Sequence, residues 1–510
     1  MYVRSKEIET LSLYIDGRSR PSGTGTYFDS NDPYTGGVWS RVPIASAEDV
    51  DQAVKAAHRA FTTGPWAEMT PTRRGRLLHR LGDLVAAHAE KLGELEVRDN
   101  GKLLAEMLGQ MRYLPEWFYY YGGLADKIEG SVTPGERPGM MHYIRYEPIG
   151  VVAAISPWNS PLVLTAWKLA PALAAGNTVV VKPSEYSSAS MLYLARLFEE
   201  AGFPPGVVNV VTGGGKVGEA LVNHPLVERI AFTGGEAGGR AVYQAAAKAF
   251  KRVSLELGGK SPNIVFEDAD LDDAVKGAVA GVFAAAGQTC MAGSRLLVQD
   301  SIHDEFVERL VAFAECARLG DPMHDDTDIG PIATRPQFQK ILDYIEIAKA
   351  EGAQCVLGGG RAEGPGLEGG HFVRPTIFTG VTNRMRIAQE EVFGPVVSVI
   401  RFKTEEEAVE IANDTLYGLA AGVWTQSLDR AINLPARLRA GTVWVNAYRV
   451  VSYLAPFGGF KNSGIGRENG KDAIREYLEA KSVFLNTRRG VPSPFVMRLP
   501  SVEAQVSRSS

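Results

Sequence analysis

With 510 residues the chain is longer than one hydrophobic core usually organises, so two or three domains are expected. Apolar and charged fractions of 45% and 22% are those of a globular protein, and a net charge of −5 offers nucleic acid or an anionic membrane no electrostatic attraction. The charged N-terminus lacks a signal-peptide apolar region, no uncharged apolar run approaches the ~18 residues of a membrane helix, and Cys290, Cys316 and Cys355 show no disulfide-like spacing, so a cytoplasmic setting is expected.

Residues 11–45 read as short strands divided by the turn signals Asp16-Gly17, Asn31-Asp32-Pro33 and Thr35-Gly36-Gly37. Ser46-Ala-Glu-Asp49 is a capping box for a helix running through Phe61. Leu77, Leu78, Leu81, Leu84, Val85 and Leu92 then recur at near-helical spacing, and the aromatic cluster Trp117-Phe118-Tyr119-Tyr120-Tyr121 suits helix packing. Gly130, Pro134, Gly135, Pro138 and Gly139 predict a loop or edge hairpin over 126–148.

From residue 149 the texture becomes α/β. Short β-rich runs at 151–155, 178–181, 207–211 and 229–232 read as buried parallel strands, with helical patterns over 162–175, 188–201 and 217–222 between them. That alternation predicts an open sheet covered by helices on both faces. A second α/β region opens at 263–266, with strands expected at 295–298, 396–402, 420–425 and 442–445. No solenoid repeat or low-complexity tract interrupts the chain, and its last twenty residues read as an extended tail.

Three strand-to-helix junctions point to a dinucleotide. Gly213-Gly-Gly215-Lys-Val-Gly218 satisfies G-x-G-x-x-G after a strand, and Phe232-Thr233-Gly234-Gly235-Glu236 opens another helix in the same way. Lys182-Pro-Ser184-Glu185 places a carboxylate at a strand end, where it can accept from ribose hydroxyls and disfavours a 2′-phosphate. NAD is therefore favoured, with NADP as an alternative because Lys182 could offset that repulsion. A P-loop is excluded: Gly259-Lys260-Ser261 ends like one, but the earlier glycine it requires falls on Ser254.

Metal catalysis has little support, since the eight histidines include no pair at i, i+3 to i+5 and there is no C-x-x-C. No G-x-S-x-G nucleophile elbow occurs either, and nothing marks a histidine as partner for a Cys–His hydrolase. What remains is Cys290, in the small-residue segment Gly287-Gln-Thr-Cys-Met-Ala-Gly-Ser-Arg295, with Glu256 and Asn159. A lone Cys is most often packing, a lone Glu a surface charge and a lone Asn a turn residue, so the case depends on the three acting together.

The motifs Pro157-Trp-Asn159, Lys182-Pro-Ser-Glu185, Phe232-Thr-Gly234, Glu256-Leu-Gly-Gly-Lys260, Gly287-Gln-x-Cys290-x-Ala-Gly-Ser-Arg295, Glu391-Val-Phe-Gly-Pro395 and Pro456-Phe-Gly-Gly to Gly466-Arg-Glu468 occur in order. From about residue 11 to 487 the chain resembles the NAD(P)-dependent aldehyde dehydrogenase superfamily. The resemblance implies Cys290 as nucleophile, Asn159 and the Cys290 N–H as oxyanion hole, and Glu256 as the base that activates water. It also assigns Ser156, Trp158, Lys182, Ser184, Glu185 and Gly215 to the cofactor, together with Phe232, Thr233, Gly234, Gly235, Leu257 and Gly258. Glu391 and Phe393 would hold the nicotinamide ribose and ring, and Gln337 and Lys340 would flank the cofactor. Many members carry Ser where this chain has Gly235; Glu236 follows it and is expected to point to solvent, because a carboxylate beside a pyrophosphate is unfavourable.

By position Trp117, Leu164, Trp167, Thr289, Met291, Val451 and Phe457 would line the aldehyde funnel. Arg449 would be either a surface charge or a partner for a substrate carboxylate. The implied fold is α/β and aldehyde-dehydrogenase-like: a Rossmann-type NAD-binding domain over 1–124 and 147–258, an α/β catalytic domain over 259–460, a small β oligomerisation element over 125–146 and 474–490, and a tail over 491–510. Edge strands of that element imply a homodimer or homotetramer. Rival readings are a CoA-acylating semialdehyde dehydrogenase of the same superfamily, which generally dispenses with the base, and a non-catalytic use of the fold as in lens proteins.

Overall fold

Strand and helix alternate between Val151 and Glu256, and the order of the strands reverses partway. In the computed structural model residues 7–489 are described; the tail expected over 491–510 lies outside the described residues. Strands Val151–Ile155, Thr178–Lys182 and Val208–Val210 pair in parallel and step in one direction across an eight-stranded sheet. The next strand, Val227–Thr233, instead returns to the other side of Val151–Ile155, and Arg252–Glu256 extends that side. The loops leaving Val151–Ile155 and Val227–Thr233 therefore diverge, and a crevice opens past the carboxyl ends of the strands.

These central strands are almost wholly buried. In Val151–Ile155 and Thr178–Lys182 the unbroken Val, Ala and Ile runs lack two-residue alternation because helices cover both faces. Helix Ala47–Thr62 is one of the coverings; its N-terminus carries the reciprocal bonds of a capping box, Asp49 N–H to Ser46 Oγ at 3.0 Å and Ser46 N–H to Asp49 Oδ2 at 2.9 Å. Both edges of the sheet depart from the parallel reading. Leu13–Ile15 runs antiparallel to Val208–Val210, and Gly464–Ile465 antiparallel to Arg252–Glu256. Leu13–Ile15 and Gly464–Ile465 are each distant in sequence from those partners, so no short turn announces the pairings, whereas the edge strand Arg18–Arg20 joins Leu13–Ile15 through the turn Asp16-Gly17.

A second sheet of seven strands runs in the order Gln354–Leu357, Thr376–Thr379, Val396–Phe402, Arg295–Gln299, Pro262–Val265, Ala420–Trp424, Thr442–Val445. All its pairs are parallel except the first, and its core includes Ile264, Leu297, Ile400 and Trp424. Buried Arg295 has its guanidinium occupied by backbone carbonyls of Lys260, Ile411 and Ala412 at 2.8–2.9 Å, so this motif residue fixes the loop after the nucleophile segment.

The chain divides into two compact units, Met1–Lys127 with Pro148–Tyr477, and Ile128–Glu147 with Leu478–Ser510. The second is a three-stranded sheet in which the hairpin Ser131–Thr133 and Met140–Pro148 is joined by Leu478–Asn486. Among the described residues no helix is long and apolar enough to cross a membrane, and no group of three or more His, Cys, Asp or Glu could hold a metal ion.

Candidate active site

Four strand ends open into one cavity of about 310 Å³ in the crevice. Ser156, Trp158 and Asn159 follow Val151–Ile155; Lys182, Ser184 and Glu185 end the next strand; Phe232, Thr233, Gly234 and Gly235 end Val227–Thr233; Leu257 and Gly258 follow Glu256. Gln337 and Lys340, from helix Arg335–Ala350, and Glu391 and Phe393, from the loop before Val396–Phe402, close the other side. Gly215 is not on this lining. It begins helix Gly215–Asn223 after Val208–Val210, and its loop packs against the crevice residues: a Cβ on Gly214 would lie 3.6 Å from Glu185 Oε1, and one on Gly218 3.6 Å from the Lys182 side chain.

The lining suits an anionic dinucleotide. Helix Glu236–Lys248 starts at Gly235 with no side-chain cap, which leaves first-turn N–H groups and the positive end of the helix dipole for an anion. Ser156 Oγ is buried without a partner. Lys182 Nζ lies 3.6 Å from the Glu185 carboxylate, and burial holds the Lys182 ammonium below its ordinary pKa despite that carboxylate. Trp158 and Phe393 meet edge to face at 5.4 Å, and Glu391 accepts the Gly259 N–H at 3.0 Å. Glu236 is off the crevice lining and partly exposed, its carboxylate bound by exposed Arg240 one turn along its helix and by the Tyr417 hydroxyl at 3.3 Å.

At the inner end of the cavity stands Cys290. The chain reaches it through three successive left-handed residues, Ala285, Ala286 and Gly287, with φ of +55°, +50° and +69°. A Cβ on Gly287 would lie 2.0 Å from the Gly394 carbonyl oxygen. Gly287→Ala is therefore expected to destabilise the protein by roughly 2–4 kcal/mol, read as a lower urea midpoint. Asn159 Nδ2 donates to the Gln288 carbonyl at 3.1 Å, which seats this amide beside the nucleophile and leaves its second N–H for a substrate oxygen.

Glu256 is 2% exposed, and neither carboxylate oxygen makes a well-formed hydrogen bond. The Cys290 thiol lies against it. Burial first, then the Glu468 charge, push the Glu256 carboxyl up to about 8, opposed by Lys168 and by the thiol. Burial and the Glu256 charge push the Cys290 thiol well above its ordinary value. Behind Glu256, Lys168 Nζ binds Glu468 Oε1 and Thr233 Oγ1, each at 2.6 Å.

A second cavity, of about 640 Å³, meets the first at Cys290, Asn159 and Leu164, which line both. Trp117, Leu164, Trp167, Thr289, Met291, Arg449 and Val451 are on its wall, with Tyr113 and Val163 adding apolar surface. Phe457 is not. It sits behind the wall, edge-on to Trp167 at 5.2 Å, and props that indole from the core side. Nor is Arg449 a surface charge: Glu106, 343 residues away, binds it at 3.0 Å. A thiol beside an unsatisfied carboxyl, where a dinucleotide-shaped crevice meets an apolar funnel, is an arrangement for oxidising a carbonyl compound through a covalent adduct.

Residues 20–483 match the model of the aldehyde dehydrogenase family. The chain belongs to that family. It is 46% identical over 479 residues to the putative aldehyde dehydrogenase DhaS of Bacillus subtilis, covering 94% of this chain and 96% of that one. Among solved structures it is similar to an aldehyde dehydrogenase of Bacillus cereus determined as an NAD+ complex (TM-score 0.92, 46% identity, 94% and 97% of the two chains). It is also similar to the betaine aldehyde dehydrogenase of Staphylococcus aureus in complex with NAD+ (TM-score 0.93, 41% identity, 94% and 95%).

This aldehyde dehydrogenase also has site residues that sequence reasoning passed over. Lys102, Glu106 and Gln110 line the funnel, and Lys168 lies behind Glu256. Lys102 and Glu106 sit at the entry to helix Leu104–Tyr113, where charges are ordinary, and Lys168 occurs inside an apolar helix. A lysine in such a run is the one signal that could have been used, because an unpaired buried ammonium is too costly to persist.

Proposed function

We propose that the enzyme oxidises an aldehyde to the carboxylic acid with NAD as cofactor, through a covalent adduct on Cys290. The observation that carries this is the shared lining: Cys290 and Asn159 stand where the crevice and the funnel join. Glu256 takes the thiol proton, and the sulfur adds to the aldehyde carbon to give a thiohemiacetal. The Asn159 amide and the Cys290 N–H stabilise the developing oxyanion, each such donor being worth about 10²–10³ in rate. NAD, when bound, is the acceptor of the hydride that leaves this carbon. The acyl group remains on Cys290 as a thioester; Glu256 gives up the thiol proton to solvent, then removes a proton from water, hydroxide adds to the acyl carbon, and the acid departs as the thiolate re-forms and takes its proton back from Glu256.

Glu256 favours water over CoA as acyl acceptor, against the acylating alternative, and the Cys290–Glu256–Asn159 set speaks against a non-catalytic role. Glu185 beside Lys182 favours NAD over NADP. The eight-stranded sheet would be the core of the NAD-binding domain and the seven-stranded sheet that of the catalytic domain. The three-stranded sheet of the second unit supports assembly into a homodimer or homotetramer. A reducing, cytoplasmic compartment suits three free cysteines of which one must stay reduced. The test is NADH formation at 340 nm from benzaldehyde with NAD, with NADP, and with NAD plus CoA. Oxidation with NAD that CoA does not accelerate is expected; strict dependence on CoA overturns the hydrolytic reading.

A further inference from the structure

The funnel carries three charged side chains among otherwise neutral walls, and their sum is positive. Lys102 is 3% exposed, with Nζ 3.0 Å from Ser160 Oγ. Glu106 and Arg449, each with a side chain 20% exposed, form the 3.0 Å pair across the cavity. Arg449 also donates to the Ala280 carbonyl at 3.3 Å and holds a left-handed backbone, φ +63°, which a non-glycine residue keeps only where its surroundings impose it. The guanidinium is thus fixed in place. Burial alone would raise the Glu106 carboxyl, but the Lys102 and Arg449 charges outweigh it and keep Glu106 ionised. Glu106 cancels one cation, and one positive charge is left over.

The indoles of Trp117 and Trp167 share this lining, an apolar surface that offers a charge little screening. The Trp167 N–H and the Thr289 hydroxyl on the same lining are buried without partners, and both can donate. A quaternary ammonium aldehyde, the kind named for the Staphylococcus aureus relative, would have to approach two cations held in place.

We propose that Lys102, Glu106 and Arg449 make the funnel selective for aldehydes bearing a carboxylate remote from the carbonyl, and set against cationic aldehydes. This rests on the aldehyde-oxidising reading above and names its substrate class.

Three substrates of similar shape test it with NAD: 4-formylbenzoate, its neutral methyl ester, and 4-(trimethylammonio)benzaldehyde. Ratios of kcat/KM compared between variants cancel the intrinsic reactivity of each aldehyde. Arg449→Leu and Lys102→Met should each lower the acid-to-ester ratio about tenfold, and Glu106→Gln, which removes a negative charge, should raise it about tenfold. A ratio that stays within about twofold in all three variants, or moves the same way in Arg449→Leu and Glu106→Gln, overturns the proposal. Should the variants fail to fold, the wild-type enzyme decides: benzoate is expected to protect Cys290 from iodoacetamide at concentrations about tenfold below those needed for phenyltrimethylammonium, and equal protection overturns it. Failure to oxidise any of the three aldehydes counts against the aldehyde-oxidising reading, while the protection experiment still decides the charge preference.

Discussion

Cys290→Ala is expected to lower steady-state NADH formation by about 10⁵-fold or more while NAD affinity, read by tryptophan fluorescence quenching, changes no more than about twofold. The two halves of that expectation have separate causes. Of the three residues that line both cavities, Asn159, Leu164 and Cys290, the thiol is the one nucleophile, so no neighbour can take over its role. Cys316 and Cys355 are exposed and on neither lining. The cofactor-side groups, Lys182, Glu185, the uncapped helix at Gly235 and Glu391, reach the crevice from other strand ends and do not depend on the sulfur. Alanine is smaller than cysteine and suits the left-handed approach no worse, so the fold is retained. Residual activity above about 1% of wild type would mean that the carbonyl is not attacked by Cys290.

The parts of this site that were legible in the sequence are those written in consecutive residues. Val151–Ile155 and Thr178–Lys182 are continuous apolar runs rich in Val and Ala, and the residues at the strand ends are placed by topology once the strand order reverses, so Asn159, Glu185, Gly234 and Glu256 could be located by motif. Pairings between distant residues left no such trace. Arg449 is joined to Glu106 and Lys168 to Glu468 across more than 290 positions; Arg449, Glu106 and Glu468 each look like an ordinary charge in their own neighbourhood, and only Lys168, alone in an apolar helix, stands out. The left-handed turn at Ala285 and Ala286 is equally silent, because alanine favours helix and only the crowding around Gly287 forces the bend. The G-x-G-x-x-G loop at 213–218 stands one step back from the crevice, with Gly214 and Gly218 against Glu185 and Lys182, which themselves line it. Glu236 keeps clear of the crevice as a carboxylate beside a pyrophosphate site should, but its bond to the distant Tyr417 hydroxyl left no trace in the sequence.

Glu256→Gln should separate the two halves of turnover. Glutamine keeps the volume of the side chain but cannot take a proton from water, so hydrolysis of the thioester is expected to fall by about 10²–10⁴ in the steady state. A burst of NADH equal to the number of sites should persist, slower than in the wild type because glutamine cannot take the thiol proton either, and the intact protein should carry one acyl group on Cys290 by mass spectrometry. Loss of burst and steady state together would confine Glu256 to activating the thiol. The same residue sets the pH dependence. With its carboxyl raised to about 8, the wild-type steady-state rate should climb close to tenfold per pH unit below 8 and level off above it, and the variant should lack this step. Stability is expected to move the other way. From the ordinary carboxylate range up to about 8 the unfolded chain ionises while folded Glu256 keeps its proton; above 8 the folded protein must hold a buried, unsatisfied anion. Wild-type stability therefore declines across that window by about 1.4 kcal/mol per unit of displacement, and the Gln variant escapes the loss. Glu256→Gln should raise the thermal midpoint more at pH 8.5 than at pH 5. An equal gain at both values would place the carboxylate in contact with solvent, and a base already hydrated has no need of a raised pKa to account for its chemistry.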